Sequence, residues 1–217
     1  MTPAHTQSIR TLDLQDLPQV AALHRAAFPH SFLTVLGQEV VRRYYEWQLV
    51  GPHDTTALGK FAQDTLQGFC FGGIFHGAMN GFLRTNRYYL IGKILTHPGV
   101  IINSEFRRRM LQGWRLKIFR KVDLHPTVKL SPVARYFGIL SMGVDPKLQR
   151  QGIGKSLMAA AEEEARKKGY GKMGLTVDVN NLSAINFYEK LGWTKILSQE
   201  GTFQGAMEKL LSFSANA

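Results

Sequence analysis

The sequence predicts an α/β fold, one domain spanning 1–217 with a mixed sheet and a helical insertion before the fourth strand. Three observations carry this. Runs that alternate apolar and polar residues take turns with runs at helical spacing along most of the chain. Gly and Pro fall between those runs. No repeat or low-complexity linker divides the 217 residues, whose 44% hydrophobic and 20% charged content suits one globular domain with a sizeable core.

"SIRTLDL" alternates as a strand and ends at Asp13, an N-cap with Asp16 three residues on. Leu17, Val20, Leu23, His24 and Ala27 then recur at helical spacing. Leu33, Leu36, Val40, Tyr44 and Trp47 mark one second helix, broken at Gly51 and Pro52. Residues 57–63 and 66–76 are strand-like runs around a short polar turn, which predicts a hairpin. Residues 78–133 form the insertion, basic and mainly helical, in which Phe106, Met110, Trp114 and Ile118 share a face. "RYFGILSMGVDP" reads as the fourth strand, closed by Asp145 and Pro146. A helix follows from Ile153 to Lys168, with Glu162, Glu163 and Glu164 each four residues before Arg166, Lys167 and Lys168, and Gly169 as its stop. "KMGLTVDV" is a strand, "NLSAINFYEKLG" a short helix ending at Gly192, and "WTKILS" and "FQGAMEKLL" are two closing strands.

A formal charge of +11 calls for an anionic partner. From Arg84 to Lys129 there are eleven Lys and Arg against Glu105 and Asp123 alone, so one segment carries most of the excess. No stretch approaches the roughly 18 uncharged apolar residues of a membrane span, and the N-terminus lacks a signal-peptide core, so the expected location is cytoplasmic, with a membrane-peripheral placement through the basic insertion as its variant. Cys70, the single cysteine, excludes an internal disulfide and a multi-cysteine metal site; it reads as core, and no metal is expected.

"QRQGIGKSL", residues 149–157, lies between a strand and a helix, where glycines let backbone N–H groups approach an anion. A P-loop would need glycine at 149, where the chain has Gln149, and a G-x-G-x-x-G pattern would need glycine at 157, which is Leu157. With both excluded, the remaining readings are another phosphate or an ordinary turn.

Across the 54 residues from Leu140 to Trp193 the chain resembles the GNAT superfamily of acyl-CoA-dependent N-acetyltransferases. The loop signature [QR]-x-x-G-x-[GA] is matched by Gln149, Gly152 and Gly154, and the second signature by Asn181, Ala184 and Tyr188, closed by "YEKLGW". The resemblance implies a mostly antiparallel central sheet flanked by helices, of α+β type, and acetyl-CoA as co-substrate. It implies that the coenzyme A pyrophosphate sits on backbone amides from Arg150 through Gln151, Gly152, Ile153 and Gly154 to Lys155, with Ser156 beside them. It implies that the backbone of Met142, Gly143 and Val144 bonds the pantetheine arm, that Asn181 is a cofactor contact or an N-cap, and that Lys190 reaches an outer phosphate. Tyr188 matches the family's tyrosine, which protonates the leaving thiolate; a phenol suits that task within hydrogen-bond reach of the sulfur. Its alternative is packing by the ring alone.

The chain departs from the family in its base. The strand "ARYFGILSMGV" holds no Asp or Glu, and Thr176 stands where some relatives carry Glu. His30, Glu39 and His76 remain candidates. By analogy the acceptor cleft is lined by "FPHSFLTVLG", with His30, Ser31 and Phe32, and by the segment after the third strand, with His76. "SFLTVLG" followed by "YY" also resembles a subgroup linked to surface-polysaccharide synthesis. The expected reaction is acetyl transfer to a primary amine by direct attack, the acceptor being a small molecule such as an amino sugar or nucleotide-linked amino sugar, or a peptide or protein amine. A non-catalytic acyl-CoA-binding domain is the alternative. The basic insertion reads as a solvated helical cover or as a dock for an anionic membrane surface, and nucleic acid is disfavoured because no recognised motif accompanies the charge.

Overall fold

The computed structural model describes residues 7–96 and 136–212. Strand β1 (Gln7–Thr11) leads into a 3-10 turn, Leu14–Asp16, and helix α1 (Leu17–Ala27). The expected cap is present: the Asp13 carboxylate accepts from the Gln15 amide at 2.8 Å, and Asp16 accepts from the Asp13 amide at 3.0 Å. Asp16 is buried and also takes two hydrogen bonds from Arg10, at 2.7 and 2.6 Å.

The single second helix expected from residue 33 onward is two helices, α2 (Phe32–Leu36) and α3 (Gln38–Val50). Gly37 between them has φ +106°, a conformation that an apolar stripe cannot reveal and that breaks the helical ladder. Strands β2 (Asp54–Ala62) and β3 (Thr65–Ile74) form the expected hairpin. Helices α4 (Ala78–Thr85) and α5 (Arg87–Thr96) open the basic segment; the rest of it, with the Phe106, Met110, Trp114 and Ile118 face, lies outside the described residues.

Strand β4 (Phe137–Val144), helix α6 (Ile153–Lys167), strand β5 (Lys172–Thr176), helix α7 (Leu182–Lys190) and strands β6 (Thr194–Leu197) and β7 (Phe203–Leu210) complete the described chain. β5 stops short of the expected Val179 because the Asp178 carboxylate accepts from the Asn180 amide at 2.9 Å and turns the chain toward α7. Of the three glutamate pairs expected on α6, only Glu162 with Arg166 spans four residues, at 3.6 Å. Lys167 meets Glu164 instead, and Lys168, at the helix end, reaches Asp54 on β2 at 2.6 Å.

The seven strands run in the order β1-β2-β3-β4-β5-β7-β6, every neighbouring pair antiparallel except β4 with β5. The sheet is therefore mixed and mostly antiparallel, with helices on both faces. Phe69 and Phe71 of β3 pack with α1 and α3 on one face, while Cys70 points to the other, under Ile153, Leu157 and Met158 of α6. A Cβ at Gly68 would lie 2.8 Å from Ile153 and 2.9 Å from Leu157, so this glycine lets α6 rest directly on β3. Cys70 is core, as its surroundings in the sequence suggested, and burial pushes its thiol up to about 12.

Candidate functional site

The site begins where β4 leaves β5. Their parallel register covers Phe137 with Met173, Gly138 with Gly174 and Ile139 with Leu175, whereas β4 continues to Val144. Its last five residues extend beyond that pairing. Their other edge is held by β3, with Ser141 opposite Phe71, Met142 opposite Cys70, Gly143 opposite Phe69 and Val144 opposite Gly68. An extended ligand laid beside Met142, Gly143 and Val144 would meet strand backbone that β5 has left.

The chain then turns into α6. Asp145 donates its amide to the Gln67 carbonyl at 2.9 Å and accepts the Lys147 amide on its carboxylate at 2.9 Å, fixing the turn to the sheet. Arg150 has φ +63° and Gly152 φ +82°. Two left-handed residues so close together belong to the kind of turn in which successive amides can form a backbone anion nest. The N-cap of α6 is Gly152, which has no side chain to cap the free amides of Ile153, Gly154 and Lys155. Those amides, the helix dipole and the exposed cations of Arg150 and Lys155 fit a pyrophosphate in both geometry and charge. Gln149 and Gln151 are exposed on the same loop. Ser156 is turned away: its hydroxyl donates to the Ile153 carbonyl at 2.9 Å and accepts from the Lys60 ammonium at 3.1 Å.

Gly154 has a different task. A Cβ there would stand 3.3 Å from the Phe187 ring and 3.7 Å from Val144, so the glycine lets α7 close against the start of α6. That contact places the next residue, Tyr188, on the Cys70 face of the sheet, among the side chains packed there with Met142. The Tyr188 ring lies 5.3 Å from Phe187 and 5.9 Å from Trp193. Burial, reinforced by the nearby Cys70 thiol, pushes its phenol well above the usual tyrosine range, so it stays a proton donor across neutral and moderately alkaline pH. Asn181 caps α7, accepting the Ala184 amide at 3.1 Å, and Lys190 is exposed at the far end of that helix.

On the opposite face lies the segment between α1 and α2. His30 and Phe32 are exposed and Ser31 is half-buried. His76 is not brought to them: it follows β3 beyond the Gly73–Gly138 pair, at the other end of β4 from Met142, and its amide donates to His53 at 3.1 Å. Glu39 is held by Arg42 at 2.8 Å and Arg43 at 2.9 Å, which keep its carboxyl below the usual range.

Sequence reasoning missed His24, Tyr45 and Ser141. His24 is 6% exposed and Tyr45 0%. The Tyr45 hydroxyl lies 2.8 Å from His24 Nδ1 and 2.9 Å from Ser141 Oγ, while His24 Nε2 lies 3.0 Å from Ser31 Oγ. Their only trace in the sequence is polar atoms within apolar runs, His24 and Tyr45 in the helices α1 and α3 and Ser141 in the strand β4.

The model of the Acetyltransferase (GNAT) family matches residues 123–193, about a third of the chain, and the likeness to that superfamily is borne out in both motif and fold. The chain resembles the PaiA N-acetyltransferase of Thermoplasma acidophilum, solved with coenzyme A, with a TM-score of 0.56 and 18% identity over 94% of this chain and 99% of that one. It resembles the ribosomal-protein-S18-alanine N-acetyltransferase structure from Escherichia coli with a TM-score of 0.56, 15% identity and 97% coverage of both chains. In sequence it is 44% identical over 54 residues to the mycothiol acetyltransferase of Streptosporangium roseum, which is 25% of this chain and 16% of that protein. It is 37% identical over 57 residues to the bS18-alanine N-acetyltransferase of Escherichia coli, 26% of this chain and 38% of that protein. The chain thus spans well under half the length of either curated relative. Among the described residues no helix is long and apolar enough to cross a membrane.

Proposed function

We propose that this chain is an acetyl-CoA-dependent N-acetyltransferase that transfers acetyl to a primary amine by direct attack. The observation that supports it most is the coincidence of three features at one end of β4: strand backbone beyond the β5 pairing, the nest and free amides at the start of α6, and the Tyr188 phenol. Coenzyme A supplies the activated acyl group. Arg150, Lys155 and the amides of Gln151 through Gly154 bind its pyrophosphate. The backbone of Met142, Gly143 and Val144 orients the pantetheine arm and polarises the thioester carbonyl. The raised pKa of Tyr188 suits it to hold a proton for the departing sulfur. Asn181 and Lys190 complete the outer contacts, and His30, Ser31 and Phe32 line the acceptor side. The acceptor class is an amino sugar or a protein or peptide amine. Residues 78–133 are an insertion within one domain.

Calorimetry with coenzyme A, followed by acetylation of an amine panel containing glucosamine and a peptide with N-terminal alanine, tests the reading. Tyr188→Phe lowers kcat about 100-fold, the lower range for general acid catalysis, with coenzyme A affinity within twofold of wild type. Coenzyme A binding with no acetylation of any amine would favour a non-catalytic acyl-CoA-binding domain.

A further inference from the structure

We infer that Ser141, Tyr45, His24, Ser31 and Thr34 form a buried proton relay that takes the acceptor amine's proton from the sheet to the surface, in place of a carboxylate base. The inference rests on the acetyltransferase reading above and adds to it the group that receives the proton.

Ser141 sits on β4 beside Met142 and opposite Phe71, so its hydroxyl belongs to the α1 and α3 face, across the strand from Tyr188. The row is continuous: Ser141 Oγ to Tyr45 Oη 2.9 Å, Tyr45 Oη to His24 Nδ1 2.8 Å, His24 Nε2 to Ser31 Oγ 3.0 Å, and Ser31 Oγ to Thr34 Oγ1 2.9 Å. Its direction follows from the outer end. Ser31 donates its hydrogen to Thr34 and accepts the Thr34 amide at 3.1 Å, so it can only accept from His24. His24 therefore carries its hydrogen on Nε2, leaving Nδ1 to accept from Tyr45, and Tyr45 in turn accepts from Ser141. Every donor in the row points outward. The lone pairs of Ser141 remain for an amine N–H.

The interior of the row, Tyr45 and His24, is buried and uncharged. Phe28 and Phe69 flank His24 with ring centroids 4.9 and 6.5 Å away, and burial pulls the imidazole down to about 4, so it is neutral at physiological pH. A neutral imidazole with both nitrogens hydrogen-bonded passes a proton by gaining one at Nδ1 as it loses one at Nε2. Ser31 and Thr34, at the outer end, are half-buried.

The step balances. As the amine nitrogen forms the C–N bond it carries one proton too many, and gives it to Ser141 Oγ. Ser141 passes its own hydrogen to Tyr45, Tyr45 to His24 Nδ1, His24 its Nε2 hydrogen to Ser31, and Ser31 to Thr34, from which one proton leaves to water. The C–S bond breaks, its electron pair takes the Tyr188 proton, and the phenolate regains one from solvent. One proton enters the row and one leaves. Once product departs, the hydroxyls turn and one proton runs the other way, entering from water at Thr34, reaching His24 Nε2 as Nδ1 gives its own to Tyr45, and leaving Ser141 for water in the emptied cleft, which restores the original directions.

The test uses the full chain, acetyl-CoA and whichever of glucosamine or the alanyl peptide the wild type acetylates. Tyr45→Phe keeps the buried ring and removes only the hydroxyl; His24→Gln keeps hydrogen-bonding atoms but cannot tautomerise. Both are expected to lower kcat roughly 10- to 100-fold, with coenzyme A affinity by calorimetry within twofold. Ser141→Ala loses activity likewise, and Ser141→Thr retains it. The solvent deuterium isotope effect on kcat depends non-linearly on deuterium fraction in the wild type and linearly in Tyr45→Phe, a change that a packing role would not produce. Independently of turnover, nitrogen NMR shows His24 as the Nε2–H tautomer, and Tyr45→Phe shifts its Nδ1 resonance. Wild-type acetylation with unchanged kcat in Tyr45→Phe and His24→Gln, or an Nδ1–H tautomer, overturns the relay alone. A wild type that acetylates no amine overturns the enzymatic reading and the relay with it.

Discussion

Gly152 and Gly154 stand two residues apart in one signature, yet the structure assigns them opposite constraints that substitution separates. Gly152 has φ +82° and open space around a Cβ, so alanine there meets no neighbour but must adopt a left-handed backbone. That costs about 1–2 kcal/mol, which at 2–4 °C per kcal/mol for a chain this size predicts a melting temperature lower by about 2–8 °C. Gly152→Asn should lose less, because asparagine tolerates that region. Gly154 lies within α6 with no left-handed requirement, and its alanine Cβ would touch the half-buried Phe187 ring at 3.3 Å. The gain of about 0.5–1 kcal/mol for Gly to Ala in a helix roughly offsets that contact, so Gly154→Ala melts within about 2 °C of wild type. Leucine at 154 overpacks the junction by about 1–3 kcal/mol and moves Phe187 and Tyr188, and adding Phe187→Ala recovers part of the loss. Thermal melts followed by circular dichroism, with coenzyme A calorimetry alongside, measure both effects. The reasoning fails if Gly152→Ala melts like wild type, or if Gly154→Ala melts more than about 2 °C below it.

Gly143→Ala would set a Cβ 2.8 Å from one carbon of the buried Phe69 ring and 3.3 Å from Phe28, so it should cost about 1–3 kcal/mol in melts, with Phe69→Leu restoring part. Asp16→Asn replaces a buried carboxylate held by Arg10 and should cost about 2 kcal/mol near neutral pH. Arg10 holds the Asp16 carboxyl below its ordinary value, so its contribution is full above about pH 4 and fades as pH falls through the lower folded value. Melts of wild type and Asp16→Asn should therefore converge in strong acid, separate as pH rises toward about 4, and stay apart by a constant amount above it.

The C-terminal half was legible because its determinants are local: Gln149, Gly152 and Gly154 fall within six residues, and Asn181, Ala184 and Tyr188 within eight. The Asp13 cap was equally local. The kink at Gly37 was hidden because the apolar residues on either side keep the spacing of a single helix. The parting of β4 from β5 depends on register across strands, which residue types do not encode. The row through His24 joins residues 7, 21 and 96 positions apart, so only the fold could assemble it. Lys168 illustrates the reverse: its expected partner, Glu164, lies four residues before it on the same helix, and Asp54 on a strand more than a hundred residues away claimed it.

The two faces of the sheet are furnished from opposite ends of the chain. α1 and α3 cover the Phe69 and Phe71 side, α6 covers the Cys70 side, and the stretch shared with the family model, 123–193, contributes α6 and α7 but none of α1, α2 or α3. The first fifty residues thus furnish one face, and the stretch matched by the family model the helices of the other, so a change confined to either stretch reaches the opposite face only through the strands between them.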